Sequence, residues 1–310
     1  MASERIAVIG NGIIGHGTAQ VFAMAGHPVT MIGRNPKSLE TALQRIKASL
    51  KDFVAHGILT QGQADAVPGR VGVSTDLGDA QPADFVLEAV TEDLELKIAI
   101  FARLDTLCRP DAILASSSGQ PASALVSKVK RKERVIAAHF WYPPQLIPLV
   151  EVCGGPYCSP AVVDRTVDLI RRAGKNPVVI DKEVKGFIGN RLQFALLREA
   201  WSLWAEGVAK PEVIDAVVRT SFGRRVGVTG PIESADIGGL ETMVNFARFL
   251  QPDLATAPEP PQAVADALKK KRPAGEWPGI YDWGKRDKQK LVDARMKELF
   301  RWLAEDRRKS

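Results

Sequence analysis

The sequence predicts an α/β protein in which a doubly wound parallel sheet, with helices on both faces, is followed by an all-helical C-terminal domain. Three observations predict this fold. Short β-branched runs alternate with helical runs through the first half of the 310-residue chain, which is typical of a parallel sheet with crossover helices. A glycine-rich turn directly follows the first β-branched run. Beyond residue 186 the apolar residues recur at helical spacing, and no further convincing strand appears.

Eight runs in the first half have the length and the composition of buried strands. Helical runs lie between most of them. The longest covers residues 36–57, where apolar residues recur at helical spacing and Gly57 ends the run, so a long helix is predicted after the second strand. The predicted strands cover residues 5–10, 28–33, 70–74, 84–90, 112–116, 134–140, 149–153 and 176–181.

The pattern changes near residue 185, which predicts a boundary between a first domain of residues 1–185 and a helical domain of residues 186–310. A proline-rich connection, residues 252–278, precedes a last amphipathic helix. Because an all-helical domain with much apolar surface often pairs with itself, a homodimer is expected. The helices predicted in this domain lie within residues 187–208, 211–223, 239–250 and 285–308.

Composition limits the cellular setting and the partners. No apolar stretch approaches the roughly 20 residues that cross a bilayer, and the N-terminus lacks a signal-peptide profile, so we expect a cytoplasmic protein without a membrane partner. The net charge is +6, and its two local clusters, residues 128–134 and 269–272, are interpreted as solvated faces rather than as a nucleic-acid site. The positive excess suits a phosphate-rich cofactor and a small anionic substrate.

The cysteines fit the same setting. Cys108, Cys153 and Cys158 form no CxxC pair, and an odd number fits a reducing compartment better than a disulfide framework. We interpret all three as structural residues, and no metal site is predicted.

The glycine-rich turn, GNGIIG at residues 10–15, has the spacing of a dinucleotide-binding turn. Gly10 permits the tight turn, Gly12 lets the backbone approach a pyrophosphate, and Gly15 lets helix and strand pack closely. The N-terminus of the next helix, with Ile13 and Ile14, then binds the anion. Because the turn stands between a strand and a helix at the start of the α/β domain, it predicts a Rossmann-type domain.

The end of the second strand predicts the choice of cofactor. NAD-binding versions of this domain carry an acidic residue there, about 20 positions beyond the turn, which binds the ribose hydroxyls. Here Gly33 occupies that position, and Arg34 and Asn35 follow it. A guanidinium in place of the carboxylate suits a 2′-phosphate, and Asn35 adds hydrogen bonds, so NADP is favoured. The alternative is that Arg34 stacks on the adenine and NAD binds.

Four separated segments carry the residues of a candidate site. SSSG at residues 116–119 follows the fifth predicted strand, His139 ends the sixth, Glu151 lies in the seventh, and GFIGNRL at residues 186–192 opens the helical domain. The ends of parallel strands face the crevice where ligands bind in doubly wound sheets. Within HFWYPPQLIPLVEV, which starts at His139, three prolines shape a hairpin-like excursion. We therefore expect Glu151 to lie beside His139 at that edge.

The arrangement resembles the L-3-hydroxyacyl-CoA dehydrogenase family over nearly the entire chain. The resemblance is carried by GNGIIG, VLEAVTEDLELK, SSSG, a His followed by Pro and then by VE, and GFIGNR at the domain junction. Together these motifs are specific. The resemblance implies a Rossmann-type domain with a helical partner domain, an NAD(P) cofactor, and reversible oxidation of a secondary alcohol.

Carried over by position, the resemblance implies a role for four residues. His139 matches the catalytic base, and Glu151 matches the carboxylate that orients it. Ser118 matches the serine that contacts the substrate oxygen, and Asn190 matches the asparagine near the substrate carbonyl. The positions that line the cofactor in the family are matched by Ala89, Glu92 and Lys97.

Two departures from the family pattern concern the substrate. The usual Asn after the catalytic His is Tyr142 here. The spacing HxxxPPxxxPLVE and the ending YDWGKRD resemble the branch that contains gulonate dehydrogenase, lambda-crystallin and carnitine dehydrogenase, which implies small polar hydroxy acids without CoA. A 3-hydroxyacyl-CoA and a free hydroxy acid therefore both stay open as substrates.

The residue types explain the implied reaction. A secondary alcohol gives up a hydride only as its hydroxyl proton leaves, so a base that titrates near neutral pH must reach that oxygen. An imidazole oriented by a carboxylate is suited to this task. Ser118 and Asn190 are expected to hydrogen-bond the developing alkoxide or ketone.

Two other interpretations stay open. The 6-phosphogluconate and β-hydroxyacid dehydrogenases share the layout, but their catalytic helix carries a Lys with an Asn four positions later, whereas Lys185 and Asn190 are five positions apart. A cofactor-binding protein without turnover, such as a crystallin-like structural protein or a redox sensor, does not need the intact set of implied catalytic residues.

Overall fold

A computed structural model of the chain describes residues 3–270, 279–283 and 285–309. Each of the eight runs predicted as strands contains a strand, so these predictions are confirmed. The strands are β1 (Ile6–Ile9), β2 (Val29–Ile32), β3 (Val71–Ser74), β4 (Phe85–Glu88), β5 (Ile113–Ser116), β6 (Val135–Phe140), β7 (Leu149–Cys153) and β8 (Asn176–Val179).

The strands form one sheet in the order β3-β2-β1-β4-β5-β6-β7-β8. Neighbouring strands are parallel from β3 to β6, so the carboxyl ends of β1, β4, β5 and β6 meet at one edge. β7 runs antiparallel to β6, and β8 runs parallel to β7. The strand order reverses beside β1, which is the point where doubly wound sheets bind their ligands. The predicted fold class is therefore confirmed, with two reversed strands added at one side.

Helices connect the strands and form the rest of the chain. Among the described residues the α-helices are α1 (Ile13–Met24), α2 (Pro36–Ala55), α3 (Gln61–Ala66), α4 (Leu94–Leu107), α5 (Ala122–Leu125), α6 (Pro160–Arg172), α7 (Phe187–Ala205), α8 (Pro211–Thr220), α9 (Pro231–Ile237), α10 (Leu240–Leu250), α11 (Gln262–Lys269) and α12 (Lys288–Lys309). The long helix predicted after the second strand is confirmed as α2. It begins where the Asn35 side chain accepts a hydrogen bond from the Lys37 N–H.

One segment differs from its prediction. The proline-rich connection predicted over residues 252–278 contains α11. Pro261 stands immediately before this helix, and a proline suits the start of a helix as well as a connection. Residues 271–278 of the same segment lie outside the described residues.

The chain divides into two compact units. One contains the residues up to Ile188 together with those from Asp293 onward, and the other contains Gly189–Val292. The end of α12 therefore belongs to the sheet unit, whereas the sequence analysis assigns it to the helical domain. An apolar stripe of α12 explains the difference, because its Phe300 ring packs edge-on against Phe53 of α2, with 5.2 Å between the centroids. The predicted boundary at residue 185 between two folding domains stays a prediction.

The sheet buries apolar side chains on both faces. Along β1, Ile6 and Val8 belong to one buried cluster, whereas Ala7 and Ile9 belong to another, as the alternation of a strand requires. Coverage of both faces explains why the central strands are mostly apolar instead of alternating between apolar and polar residues. No helix among the described residues is long enough and apolar enough to cross a membrane.

Candidate active site

The glycine-rich turn lies at the carboxyl end of β1, where Gly10 adopts a φ of +108°. A Cβ at Gly10 would lie 2.5 Å from the Ala89 carbonyl oxygen, and a Cβ at Gly15 would lie 2.0 Å from the Gly10 oxygen. Both positions therefore require glycine. A Cβ at Gly12 would have nothing within 4 Å, so the backbone here is open to a ligand at the start of α1.

A cleft of about 690 Å³ lies against this turn. Residues at the ends of the first four strands and on α4 form its walls. The predicted cofactor residues that line it are Gly10, Gly12, Gly33, Arg34, Asn35 and Ala89. The predicted cofactor residues outside its walls are Ile13, Ile14, Gly15, Glu92 and Lys97. Its walls also include Asn11, Ser38 and Arg103, which the sequence analysis does not name.

The end of β2 carries a positive rather than a negative side chain. Gly33 is buried, and a Cβ there would lie 2.7 Å from Asn11 Oδ1. Asn11 donates a hydrogen bond of 2.9 Å to the Ser38 hydroxyl, which places its amide in the space that an acidic side chain would need. Arg34 is exposed and forms no ion pair within the described part of the chain. The Asn35 oxygen is used by the start of α2.

His139 and Glu151 lie directly opposite each other in the antiparallel pair of β6 and β7. His139 Nδ1 lies 2.9 Å from Glu151 Oε2, and both side chains are buried. A carboxylate only accepts hydrogen bonds, so Nδ1 carries the proton and the lone pair of the neutral ring lies on Nε2. Nε2 has no hydrogen-bond partner among the residues that the structure describes. The ring can therefore take up a proton at Nε2 while Glu151 stabilises the resulting charge.

Glu151 is held by donors from more than one element. Trp141 Nε1 donates to Oε2 at 3.1 Å, and the Ile188 backbone N–H donates to Oε1 at 3.0 Å. Phe187, with a positive φ of 50°, precedes Ile188 and stores backbone strain at this point. The rings of Trp141 and Phe187 lie 5.7 and 5.5 Å from that of His139, measured between centroids. The carboxylate is thus fixed in orientation, and the imidazole lies against two aromatic rings.

Ser118 connects this edge of the sheet to a buried charge pair. Its Oγ donates to Glu92 Oε1 at 2.6 Å, and Glu92 Oε2 lies 3.4 Å from Lys97 Nζ. Lys97 donates to Glu88 Oε1 at 2.8 Å, and the Ser116 hydroxyl donates to Glu88 Oε2 at 2.6 Å. Lys97 and Glu88 are almost completely buried. Because Ser118 directs its single proton at Glu92, it can donate to a substrate oxygen only after leaving Glu92.

The predicted catalytic residues fall in both units. Three of them, Ser118, His139 and Glu151, lie in the sheet unit. The Gly186 N–H donates to the Gly119 oxygen at 2.8 Å, which ties the start of the GFIGNRL segment to the serine turn. Asn190 belongs to the other unit, and its role stays a prediction. Tyr142 is exposed.

The cysteines are free thiols. Burial raises the pKa of Cys158 to about 12, and it also raises the pKa values of Cys108 and Cys153. Thiols in this state are protonated at neutral pH and are therefore poor nucleophiles. Within the described residues no group of three or more His, Cys, Asp or Glu is arranged to hold a metal ion.

Sequence reasoning assigns no role to three side chains of this network, although each lies in a segment that it quotes, namely Trp141, Glu88 and Ser116. A signal for Trp141 exists, because it stands two positions after His139 and the alternation of a strand puts both on one side. Glu88 gives a weaker signal as an acidic residue within a predicted strand. Its pairing with Lys97 depends on how α4 packs against the sheet, and the sequence pattern does not specify that packing.

Comparison with known proteins covers almost the whole chain. The family model for the 3-hydroxyacyl-CoA dehydrogenase NAD binding domain matches residues 5–184, and that for the 3-hydroxyacyl-CoA dehydrogenase C-terminal domain matches residues 186–283. Lambda-crystallin from Oryctolagus cuniculus is 34% identical over 248 residues, which are 79% of this chain and 77% of that protein. Probable 3-hydroxybutyryl-CoA dehydrogenase from Bacillus subtilis is 34% identical over 255 residues, which are 82% of this chain and 88% of that protein.

A solved structure extends the similarity to both units. It is that of 5-formyl-3-hydroxy-2-methylpyridine 4-carboxylic acid 5-dehydrogenase, described as an NAD⁺-dependent dismutase. It superposes with a TM-score of 0.87 at 31% identity and covers 98% of this chain and 99% of that one. The proteins that resemble this chain therefore include one named for an acyl-CoA substrate and one named for a free carboxylic acid.

Proposed function

This chain belongs to the 3-hydroxyacyl-CoA dehydrogenase family, and on that premise we propose that it reversibly oxidises the secondary alcohol of a small anionic substrate with NAD(P). One observation carries the proposal, the buried contact of 2.9 Å between His139 Nδ1 and Glu151 Oε2. It provides an imidazole with an available Nε2 at the end of β6. Oxidation of an alcohol needs such a base.

His139 acts as the base in the direction of oxidation. Its Nε2 takes the proton of the substrate hydroxyl, while Nδ1–H remains hydrogen-bonded to Glu151, which stabilises the imidazolium. In the direction of reduction the same imidazolium returns the proton to the oxygen. Glu151 accepts hydrogen bonds on both carboxylate oxygens, which hold it in place to stabilise the imidazolium.

The residues of the turn fit a dinucleotide. Gly12 and the N-terminus of α1 would hold the pyrophosphate, Gly10 permits the turn that places them, and Ala89 contributes to the wall of the cleft. The cofactor supplies the hydride acceptor when it is bound. Ser118 and Asn190 are assigned to the substrate oxygen, with Ser118 exchanging its hydrogen bond to Glu92 for one to the substrate.

Among the substrate classes we favour a free hydroxy acid over an acyl-CoA. The support is the spacing around His139, which resembles the branch with polar substrates, and the similarity to a dehydrogenase named for a pyridine carboxylic acid. Tyr142 stands where the family has an Asn after the catalytic His, so we expect the nicotinamide amide or the substrate to be held differently from the way it is held in the family. A 3-hydroxyacyl-CoA is the competing class.

The test of function is a substrate panel measured with the wild type and with His139→Gln. Formation of NADH and NADPH is followed with free hydroxy acids and with 3-hydroxyacyl-CoA thioesters. The substitution should lower kcat by on the order of 10²- to 10⁴-fold on the preferred substrate, because the base is lost, while cofactor affinity stays nearly unchanged. His56→Gln is a matched control on an exposed histidine of the same unit. Near-normal turnover in His139→Gln removes the mechanism, and no turnover with any substrate favours a cofactor-binding protein without catalysis.

We also propose that the enzyme prefers NADP. Arg34 lines the cleft, is exposed, and has no acidic partner among the described residues, so its charge is available to a 2′-phosphate. Gly33 offers no carboxylate to the ribose, and Asn11 lies where such a side chain would be placed. The similar dehydrogenase that is described as NAD⁺-dependent has the opposite cofactor preference to the one proposed here.

The cofactor preference is tested by Arg34→Gln, which removes the positive charge alone. Gly33→Asp is a less specific test, because its side chain would also displace Asn11. A charge-assisted contact contributes about 1.5–3 kcal/mol, so kcat/KM for NADP should fall roughly 10- to 100-fold while that for NAD changes little. Arg103→Gln, on another wall of the same cleft, is the control for loss of positive charge. All measurements are made at one ionic strength. A wild type that favours NAD tenfold or more contradicts the proposal.

The same proposal includes a cytoplasmic homodimer. Its support is the apolar surface of the helical unit, where Val228, Ile232 and Phe249 are each more than 70% exposed. Light scattering should report twice the mass of one chain. A monomer at micromolar concentration contradicts this part of the proposal.

A further inference from the structure

Two donors share one oxygen of the Glu151 carboxylate. His139 Nδ1 lies 2.9 Å and Trp141 Nε1 lies 3.1 Å from Oε2. An indole N–H has no other hydrogen-bonding capacity and must find an acceptor when it leaves water. Trp141 is half-buried, and it uses the carboxylate that also binds the histidine. The indole therefore draws negative charge from the oxygen that would stabilise an imidazolium.

The position of the Trp141 indole restricts the orientation of both His139 and Glu151. The Trp141 ring is edge-on to the His139 ring at an interplanar angle of 70°. The Ile188 N–H occupies the other carboxylate oxygen, so Glu151 cannot rotate without breaking a hydrogen bond on each side. The groups facing the His139 ring are Glu151 from β7, Trp141 from the segment after β6, and Phe187 from the start of α7. Of these three, Glu151 alone is charged.

We infer that Trp141 is a positioning residue of the site, which acts through Glu151 to fix the orientation of His139 and to set the pH range in which His139 accepts a proton. The inference rests on the proposed function for its kinetic consequence. Its structural basis is the shared oxygen. Without the indole N–H, Glu151 Oε2 would concentrate its charge on the His139 N–H and would stabilise the imidazolium more strongly.

The kinetic test compares Trp141→Phe with Trp141→Ala. Both remove the N–H, whereas only the alanine variant also removes the ring. Oxidation requires neutral His139, so kcat/KM rises with pH as the imidazolium loses its proton. In both variants this rising limb should move to higher pH by about 0.5–1 unit, because the imidazolium is stabilised. If the ring has only a structural role, kcat/KM should fall at every pH and the rising limb should stay at the same pH. The fall should then be larger in Trp141→Ala than in Trp141→Phe.

A spectroscopic test needs no substrate. An imidazolium quenches a neighbouring indole more strongly than a neutral imidazole does, so the emission of Trp141 should rise as His139 loses its proton. The titrating component should be present in the wild type, absent in Trp141→Phe and absent in His139→Gln. Trp302→Phe is the matched control, since Trp302 lies on α12 beside Arg301 and should leave the titration unchanged.

The two tests separate the inference from the proposed function. A rising limb that moves in both Trp141 variants, with the emission titration lost in Trp141→Phe, supports the inference. An unmoved limb, or a titration that survives in Trp141→Phe, overturns it even if His139→Gln is inactive. Normal turnover in His139→Gln overturns the proposed function instead, and the emission titration then still decides whether Trp141 is coupled to His139.

Discussion

Two buried lysines of the sheet unit differ in what surrounds their ammonium groups. Lys97, with a side chain 1% exposed, lies 2.8 Å from Glu88 Oε1 and 3.4 Å from Glu92 Oε2. Lys175, 8% exposed, donates to a backbone carbonyl oxygen at 3.0 Å, and no carboxylate of the described residues lies within ion-pair distance of it. Burial, with the Arg307 guanidinium nearby, lowers the pKa of Lys175 to about 7.

Both lysines are buried, but among the described residues only Lys97 has carboxylates around its ammonium group. The type of acceptor around a buried lysine, and not its burial alone, therefore indicates whether it is connected to the candidate active site. A buried ammonium is retained where carboxylates compensate its lost hydration, and it tends to lose its proton where they do not. Lys97 is connected through Glu92 to Ser118, a residue assigned to the substrate. Lys175 instead donates to the Ile147 carbonyl oxygen and lies near Arg307 at the end of α12.

The largest expected effect follows from removing Lys97. Lys97→Met leaves Glu88 buried without its cation, and the loss of one partner of a buried pair costs about 3–5 kcal/mol in the free energy of unfolding. Urea unfolding at a fixed pH measures the change. Lys175→Met is the matched control, and it should not lower the free energy of unfolding, because it leaves no carboxylate unpaired and removes an ammonium that is costly to bury.

A double variant tests whether the loss of stability in Lys97→Met comes from the unpaired charge of Glu88. Lys97→Met combined with Glu88→Gln removes both charges and should recover part of the loss, since a neutral pair no longer leaves a buried charge. Equal losses in Lys97→Met and Lys175→Met would show that packing alone decides both sites, and the comparison between the two lysines would be wrong.

The sheet and the contact between His139 and Glu151 follow from patterns that act over short distances. Strands are recognised by β-branched runs, and three prolines reverse the chain between β6 and β7. The reversal brings these two residues to the same level of neighbouring strands. The positive charge at the end of β2 can also be predicted from the sequence, because Arg34 follows Gly33 at that strand end.

Other features depend on how distant elements pack, which periodicity does not encode. The Glu88 and Lys97 pair depends on how α4 packs against the sheet, which brings Lys97 Nζ to 2.8 Å from Glu88 Oε1. The end of α12 joins the sheet unit because Phe53 and Leu146 leave an apolar surface that Phe300 covers. The Asn11 amide is a further case. The sequence shows that Gly33 lacks the acidic side chain of NAD-binding domains, but it does not show that Asn11 from the glycine-rich turn occupies the space of that side chain.

A smaller effect is expected from pH. The folded-state pKa of Lys175 is about 7, whereas a lysine in an unfolded chain has a pKa of about 10.4. Between these values the unfolded state binds more protons, so the contribution of Lys175 to the free energy of unfolding rises with pH, by at most about 1.4 kcal/mol per pH unit. Below pH 7 the penalty stays constant, and above about pH 10.4 it vanishes.

The difference between wild type and Lys175→Met isolates this contribution. From pH 7.5 to pH 9 the wild type should gain about 2 kcal/mol relative to the variant, since the other titrating groups are common to both proteins. Denaturant unfolding at several pH values provides the measurement. Parallel stability profiles for the two proteins would mean that Lys175 titrates alike in the folded and unfolded chains.

The smallest expected effect concerns Glu92, which joins Lys97 to Ser118. Its side chain is 52% exposed, so its ion pair with Lys97 at 3.4 Å is screened by water and contributes little to stability. Glu92→Gln keeps an oxygen that accepts the Ser118 proton and removes only the charge. Stability should change by less than about 0.5 kcal/mol, and kcat/KM by a few-fold. If kcat/KM instead falls 100-fold at unchanged stability, then the charge on Glu92 holds Ser118 for the reaction. The buried lysine beside it would then act on catalysis as well as on folding.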